Sequence, residues 1–130
     1  MKKLLGIIFL SLLLCNSVLA DVYYCVDKAI TGFKHENGDY RVAKYRPEKF
    51  KAKIDFDEST FESKDINMDY QVSCLKISTQ KYSMTCASSF GDVFTIEGDK
   101  SSIDSFDYTR GKTFGRTDSI YITYGNCEKF

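Results

Sequence analysis

Residues 119–130 read SIYITYGNCEKF. Apolar side chains recur at Ile120, Ile122 and Tyr124, a glycine interrupts, and Cys127 stands four residues from the C-terminus. Period-two alternation is the signature of a half-buried strand. A strand that ends on a cysteine asks for a partner. Of five cysteines, Cys15 lies in an apolar leader, which leaves Cys25, Cys74, Cys86 and Cys127. An even count in a small exported chain reads as two disulfides. The segments YQVSCLKI (70–77) and KYSMTCA (81–87) flank a polar STQ turn and form a hairpin. Centred on Gln80, that hairpin sets Cys74 opposite Cys86, where Cα atoms about 4.5–5.5 Å apart are within disulfide reach. Cys25 then pairs with Cys127, and the first strand lies beside the last. The other pairings need crossed connections between strands distant in sequence. The outer bridge closes a loop of about a hundred residues, worth roughly 4–5 kcal/mol in the chain-entropy treatment.

The leader is MKKLLGIIFLSLLLCNSVLA. Lys2 and Lys3 precede an apolar run from Leu4 to Leu14, too short to span a bilayer. Val18-Leu19-Ala20 suits a signal peptidase, so residues 1–20 are expected to be a cleaved signal peptide and the mature chain to start at Asp21. The rival is acylation at Cys15, but Leu14 stands where lipoprotein processing prefers a small residue. The remaining 110 residues suit a single domain. Without Lys2 and Lys3 the chain has 16 basic and 18 acidic residues, a net charge near −2. That balance gives no pull toward nucleic acid or anionic lipid.

Period two continues through the chain. In KFKAKIDF (49–56), Phe50, Ala52, Ile54 and Phe56 share one face and Lys51, Lys53 and Asp55 the other. The phase changes in the next segment, from Phe61 and Ser63 to Ile66, which calls for a bulge or break near Lys64-Asp65. DVFTI, SSIDSFDYT and DSIYITY read as further strands, whereas AITGF and DYRVAKYR fit strand or loop. Turn chemistry sits at Asn37-Gly38, Gly91, Gly98 and RGKTFGRTD. No segment of the mature chain sustains helical periodicity. Eight to ten short strands suit either a two-layer sandwich or a small barrel. The expected cystine pairing selects the barrel: an all-β antiparallel meander of eight strands, closed or nearly closed, stapled by two disulfides.

Chemical motifs are scarce. His35 is the sole histidine and lies in the polar turn KHENGDY. There is no G-x-S-x-G elbow, no C-x-x-C and no glycine-rich phosphate loop, and oxidised cysteines supply no nucleophile or soft metal ligand. The acidic run from Asp55 to Glu62 lacks the glycine and glutamate of a calcium loop, and reads as a hairpin turn with solvated acids. Neither catalysis, nor a metal, nor a cofactor is expected. A basic stretch, Lys34 to Lys53, precedes an acidic one, Ile54 to Asp69, a pattern that cross-strand pairing explains.

Two segments combine aromatics with cations. One holds Tyr40, Arg41, Lys44, Tyr45 and Arg46; the other holds Arg110, Lys112, Phe114 and Arg116 between glycines. Tyr and Arg are enriched at interface hot spots, which makes these residues candidates for binding. Against this stands the ordinary reading of surface connections whose aromatics fold back on the core.

Tyr23-Tyr24-Cys25 after the leader, the FKAKIDF strand and the ending Tyr124-x-x-Cys127-Glu-Lys-Phe resemble, over the whole chain, small exported proteins of marine alphaproteobacteria of the Pelagibacter type. That resemblance implies location without activity. The aromatic-x-Cys start and the Tyr-x-x-Cys-like end are also similar to bacterial inhibitors of C-type lysozyme, which are disulfide-closed β-barrels. Their Ser-Gly-x-x-Tyr loop has a counterpart only in Ser89-Phe90-Gly91-Asp92-Val93-Phe94, with one extra residue and Phe for Tyr, so the architecture alone carries over. The expectation is a periplasmic or secreted module that binds a protein or envelope component. Inhibition of an envelope-active hydrolase and carriage of a small apolar ligand are the alternatives. Neither nucleic acid nor a membrane span is expected.

Overall fold

Strand β1 (Asp21–Glu36) is the organiser of the fold, and its 16 residues run on through AITGF, which fit strand or loop in the sequence. The computed structural model describes residues 20–66, 72–76, 82–89, 91–98, 103–112 and 119–130. Residues 1–19, with Cys15 and the expected cleavage signal, lie outside them. Eight more strands follow: β2 (Asp39–Ala43), β3 (Lys49–Asp55), β4 (Thr60–Glu62), β5 (Ser73–Leu75), β6 (Ser83–Ala87), β7 (Asp92–Gly98), β8 (Ser105–Lys112) and β9 (Ile120–Lys129). All pairs are antiparallel, and the described residues contain no helix.

The sheet order is β4-β3-β1-β9-β8-β7-β6-β5, with β2 pairing the far end of β1. First and last strands are therefore hydrogen-bonded neighbours, as the cysteine argument expected. Cys25 faces Cys127 and Cys74 faces Cys86 in register, and both pairs are disulfides. The seam of the nearly closed barrel falls elsewhere, between β4 and β5, which approach each other without a ladder among the described residues. Local chemistry ends β4 early. Ser63 Oγ donates to the Lys51 carbonyl (2.6 Å), and the Asp65 carboxylate accepts from the Lys51 N–H (2.8 Å). These bonds replace ladder bonds and account for the phase change seen in the sequence.

Alternation fills the interior. Tyr23 and Cys25 of β1, Phe50, Ala52 and Ile54 of β3, Phe61, Met84, Cys86, Phe94, Ile96, Phe106, Tyr108 and Cys127 are all buried. Their rings meet across the barrel: Phe94 stacks on Tyr108 at 4.9 Å and meets Phe61 in a tilted pair at 4.5 Å, and Phe50 packs edge-on against both Phe94 and Tyr108. An eight-stranded barrel is just wide enough for its own side chains.

The turn after β3 differs in one respect from the sequence reading. Asp57 and Glu58 are exposed, but Asp55 is buried, and its carboxylate accepts from both of their backbone N–H groups at 2.9 Å. Asp39–Ala43, ambiguous in sequence, is a strand. Asn37 and Gly38 both have positive φ (53° and 85°), the backbone of a two-residue hairpin whose twist matches its strands. The resulting β1–β2 ribbon extends the sheet beyond β3.

Candidate functional site

A β-bulge at Asp27–Ala29 decides which residues of β1 meet solvent. Before it, Cys25 pairs Cys127 and Asp27 pairs Gly125; after it, Ala29 pairs Tyr124, so Lys28 is the extra residue. The odd-numbered residues point inward before the bulge and outward after it. That switch destroys period two in the sequence of β1 and hides the second half of the strand from a pattern search.

The bulge is held by a buried ion cluster. The Asp27 side chain is 0% exposed and that of Arg110 is 7% exposed. Arg110 Nη2 donates to Asp27 Oδ2 at 2.9 Å and also to Glu48 Oε2. Tyr108 Oη donates to Asp27 Oδ1 at 2.6 Å, and the Glu48 N–H to Asp27 Oδ2 at 2.8 Å. A buried carboxylate needs such pairing, since isolation in a low-dielectric interior is costly. Tyr108 reaches from β8 across β9 to β1 only because residue 125 is glycine. A Cβ there would overlap Tyr108 Cζ and Oη and the Val26 carbonyl. Burial by itself would lower the pKa of Arg110; its bonds to Asp27 and Glu48 outweigh burial and hold it above the ordinary value. Burial, then the bond to Asp27, pushes the Tyr108 phenol up. The guanidinium also lies over the rings of Phe50 (5.4 Å) and Tyr121 (5.8 Å).

This arrangement revises the two candidate segments. Arg110 and Lys112 are not in a loop; β8 runs through both. Arg110 faces inward and is engaged, because its register continues that of buried Phe106 and Tyr108. Lys112 is half-buried opposite Tyr121, while Phe114 and Arg116 lie outside the described residues. In the first segment Tyr40 and Arg41 sit on β2, and the linker after β2 carries Lys44, Tyr45 and Arg46. Tyr45 folds back: its hydroxyl donates to the Phe33 carbonyl (2.7 Å) and its ring meets Tyr121 at 5.6 Å. Tyr45 and Arg110, far apart in sequence, thus converge on Tyr121. Arg41, Lys44 and Arg46 remain exposed.

The outward face of β2, β1 and β9 is the feature that the sequence reading missed. Val42 (79% exposed), Phe33 (46%), Ile122 (61%), Tyr124 (42%) and Tyr40 (38%) all lie on it. Cross-strand register makes the face continuous: Tyr40 opposes His35, Val42 opposes Phe33, Phe33 opposes Ile120, Thr31 opposes Ile122 and Ala29 opposes Tyr124. Of the eight large apolar residues that stand exposed among the described ones, Leu75 and Phe130 lie elsewhere, and Tyr24 lies on the outer face of β1 before the bulge, opposite Glu128 of β9. Val42 stood in a segment that fit strand or loop, and the apolar alternation of Ile122 and Tyr124 marked a strand but not its buried side, since in β9 it is Thr123, Gly125 and Cys127 that point inward.

Among the described residues, no group of three or more His, Cys, Asp and Glu is placed to hold a metal ion, and no helix is long and apolar enough to cross a membrane. No family model, curated protein or solved structure matches the chain.

Proposed function

We propose that this protein is an exported, non-catalytic binding module that docks a protein partner of the cell envelope on the outer face of β2, β1 and β9. The observation that carries the reading is the gathering of Tyr40, Phe33, Val42, Ile122 and Tyr124 on one continuous face. Contiguous exposed apolar surface costs solubility and marks interaction sites. Aromatic side chains supply large contact area there. The packed interior supports binding outside the barrel rather than carriage within it, since Phe50, Phe61, Phe94 and Tyr108 occupy the space a ligand would need. Two disulfides suit an oxidising compartment.

The test couples Val42→Asp and Ile122→Asp to capture of crosslinked partners from the native envelope fraction. Wild type should retain a protein that both variants lose, with the fold's stability within about 0.5 kcal/mol, as for surface changes generally. A partner with hydrolytic activity that falls on binding would make the module an inhibitor. Recovery of a lipid or pigment with no protein, or a protein retained equally by both variants, would overturn the reading.

A further inference from the structure

The apolar face does not end at Tyr124. One row further along the barrel, Thr85, Thr95, Thr109 and Tyr124 lie side by side across β6, β7, β8 and β9, and beyond them Glu97 stands directly opposite Asp107. The two threonines Thr85 and Thr95 share a hydrogen bond of 2.9 Å. Thr95, Glu97, Asp107, Thr109 and Tyr124 line a shallow hollow of about 80 Å³. Tyr124 therefore belongs both to the apolar face and to the wall of this hollow, and its pKa is raised by a hydrogen bond to Asp107.

Two like charges directly opposite each other on neighbouring strands oppose folding. On this face Asp107 has neutral partners, since Asn126 Nδ2, in register with it, donates to its Oδ1 at 3.2 Å and Tyr124 also bonds it, but among the described residues of β7, β8 and β9 no cation offsets the two charges by register. The cations of β7, β8 and β9 among the described residues are Arg110, Lys112 and Lys129. Arg110 and Lys112 share the register of buried Phe106 and Tyr108, and Lys129 continues that of Cys127 and pairs with Asp21 at 2.9 Å. The outer face is thus apolar at one end, hydroxyl-lined in the middle and anionic at the other, and the described cations of β7, β8 and β9 lie on the opposite register; exposed Lys28, at the bulge of β1, is the nearest cation on the neighbouring strand.

We infer that the occupant of this surface is a basic peptide segment of the partner, which sets a Lys or Arg head between Glu97 and Asp107 and lays apolar side chains on Tyr124, Ile122 and Phe33. The inference rests on the docking face proposed above and names the chemistry of what docks there. Charge complementarity selects the cation. The spacing follows from the ladder: Tyr124 opposes Thr109, which makes Asp107 its diagonal neighbour, about 7–8 Å away. A cation and an apolar residue at i and i+2 of an extended segment match it, as do i and i+4 of a helix.

The probe is a blocked synthetic peptide, Lys-Val-Lys-Val-Lys, with Glu-Val-Glu-Val-Glu as its counterpart, titrated into the intact protein and followed by amide chemical shifts. The basic peptide should shift resonances of β7, β8 and β9 around Glu97, Asp107 and Tyr124. Glu97→Gln with Asp107→Asn should weaken it about tenfold at low salt. The difference should largely vanish near 1 M salt, where the screening length is about 3 Å. Glu62→Gln with Asp57→Asn, a matched loss of charge on the far side of the sheet, should change little. The inference is overturned if the acidic peptide binds equally well, if both double variants behave alike, or if sedimentation shows a second copy of the chain covering the face. Capture of the natural partner separates the two readings. Loss with Val42→Asp but not with Glu97→Gln/Asp107→Asn leaves the docking face standing and removes the basic segment. Indifference to both sets removes both.

Discussion

Replacing Asp27 by Asn tests whether the buried cluster holds the barrel together. The substitution keeps the shape of the side chain, so no cavity opens. Tyr108 Oη can still donate to a carbonyl oxygen at the Oδ1 position, but an amide nitrogen then faces both Arg110 Nη2 and the Glu48 N–H, donor against donor. One charge-assisted bond and one backbone bond have nowhere to go, and the guanidinium stays buried with Glu48 as its remaining anion. Removing one member of a buried pair costs about 3–5 kcal/mol. Glu48 keeps part of the pairing, which sets the expected loss near the lower end, about 3 kcal/mol. With a urea m-value of about 1.5 kcal/mol/M for a domain of this size, the unfolding midpoint should fall by about 2 M. Asp27→Leu with Arg110→Met removes both charges together. It should cost at least about 1 kcal/mol less than the sum of the single losses, since the two side chains interact directly. Equilibrium urea unfolding with disulfides intact gives all four corners of the cycle. A loss below 1 kcal/mol for Asp27→Asn, with additive single and double variants, would refute the argument and reduce the cluster to incidental contacts.

Three further outcomes follow from packing and linkage. Removing Cys25–Cys127 as a Ser pair should destabilise the fold more than removing Cys74–Cys86, because the sequence separations are 102 and 12. The chain-entropy relation puts the losses at about 4.7 and about 2.8 kcal/mol, and equal midpoints in urea would contradict it. Gly125→Ala should cost about 1–3 kcal/mol by overpacking against Tyr108, and an unchanged midpoint would show that the ring can move aside. Burial raises the phenol pKa of Tyr23, and burial with the Asp27 bond raises that of Tyr108. A folded pKa above the unfolded value of about 10 stabilises the fold fully below that pH, and the contribution is lost as pH rises through the folded value. Stability should therefore decline above about pH 10, with the last phenolate absorbance appearing only as the chain unfolds; free, reversible ionisation of all nine tyrosines in the folded state would disprove this.

The antiparallel meander and its cystine pairing were legible in the sequence because each is a local property. Period two survives in any strand with one wet face, so KFKAKIDF is legible as a strand with Phe50, Ala52 and Ile54 on one side; that side is the inner one here, whereas in β9 the apolar Ile122 and Tyr124 are outward. Symmetric numbering about a short turn likewise sets Cys74 opposite Cys86, and two cysteines then remain. Tertiary structure decided the rest. The bulge at Lys28 inverts the alternation of β1, so that Ala29, Thr31 and Phe33 point outward only because β9 imposes the register. The cluster joins buried Asp27, Tyr108 and Arg110 with exposed Glu48 from three separate parts of the chain, and nothing in their own neighbourhoods marks Arg110 as interior. The seam at β4 and β5, the apolar face and the carboxylate pair Glu97–Asp107 are relations between strands. Cross-strand neighbours are fixed by the whole ladder, and a sequence records only the neighbours along the chain.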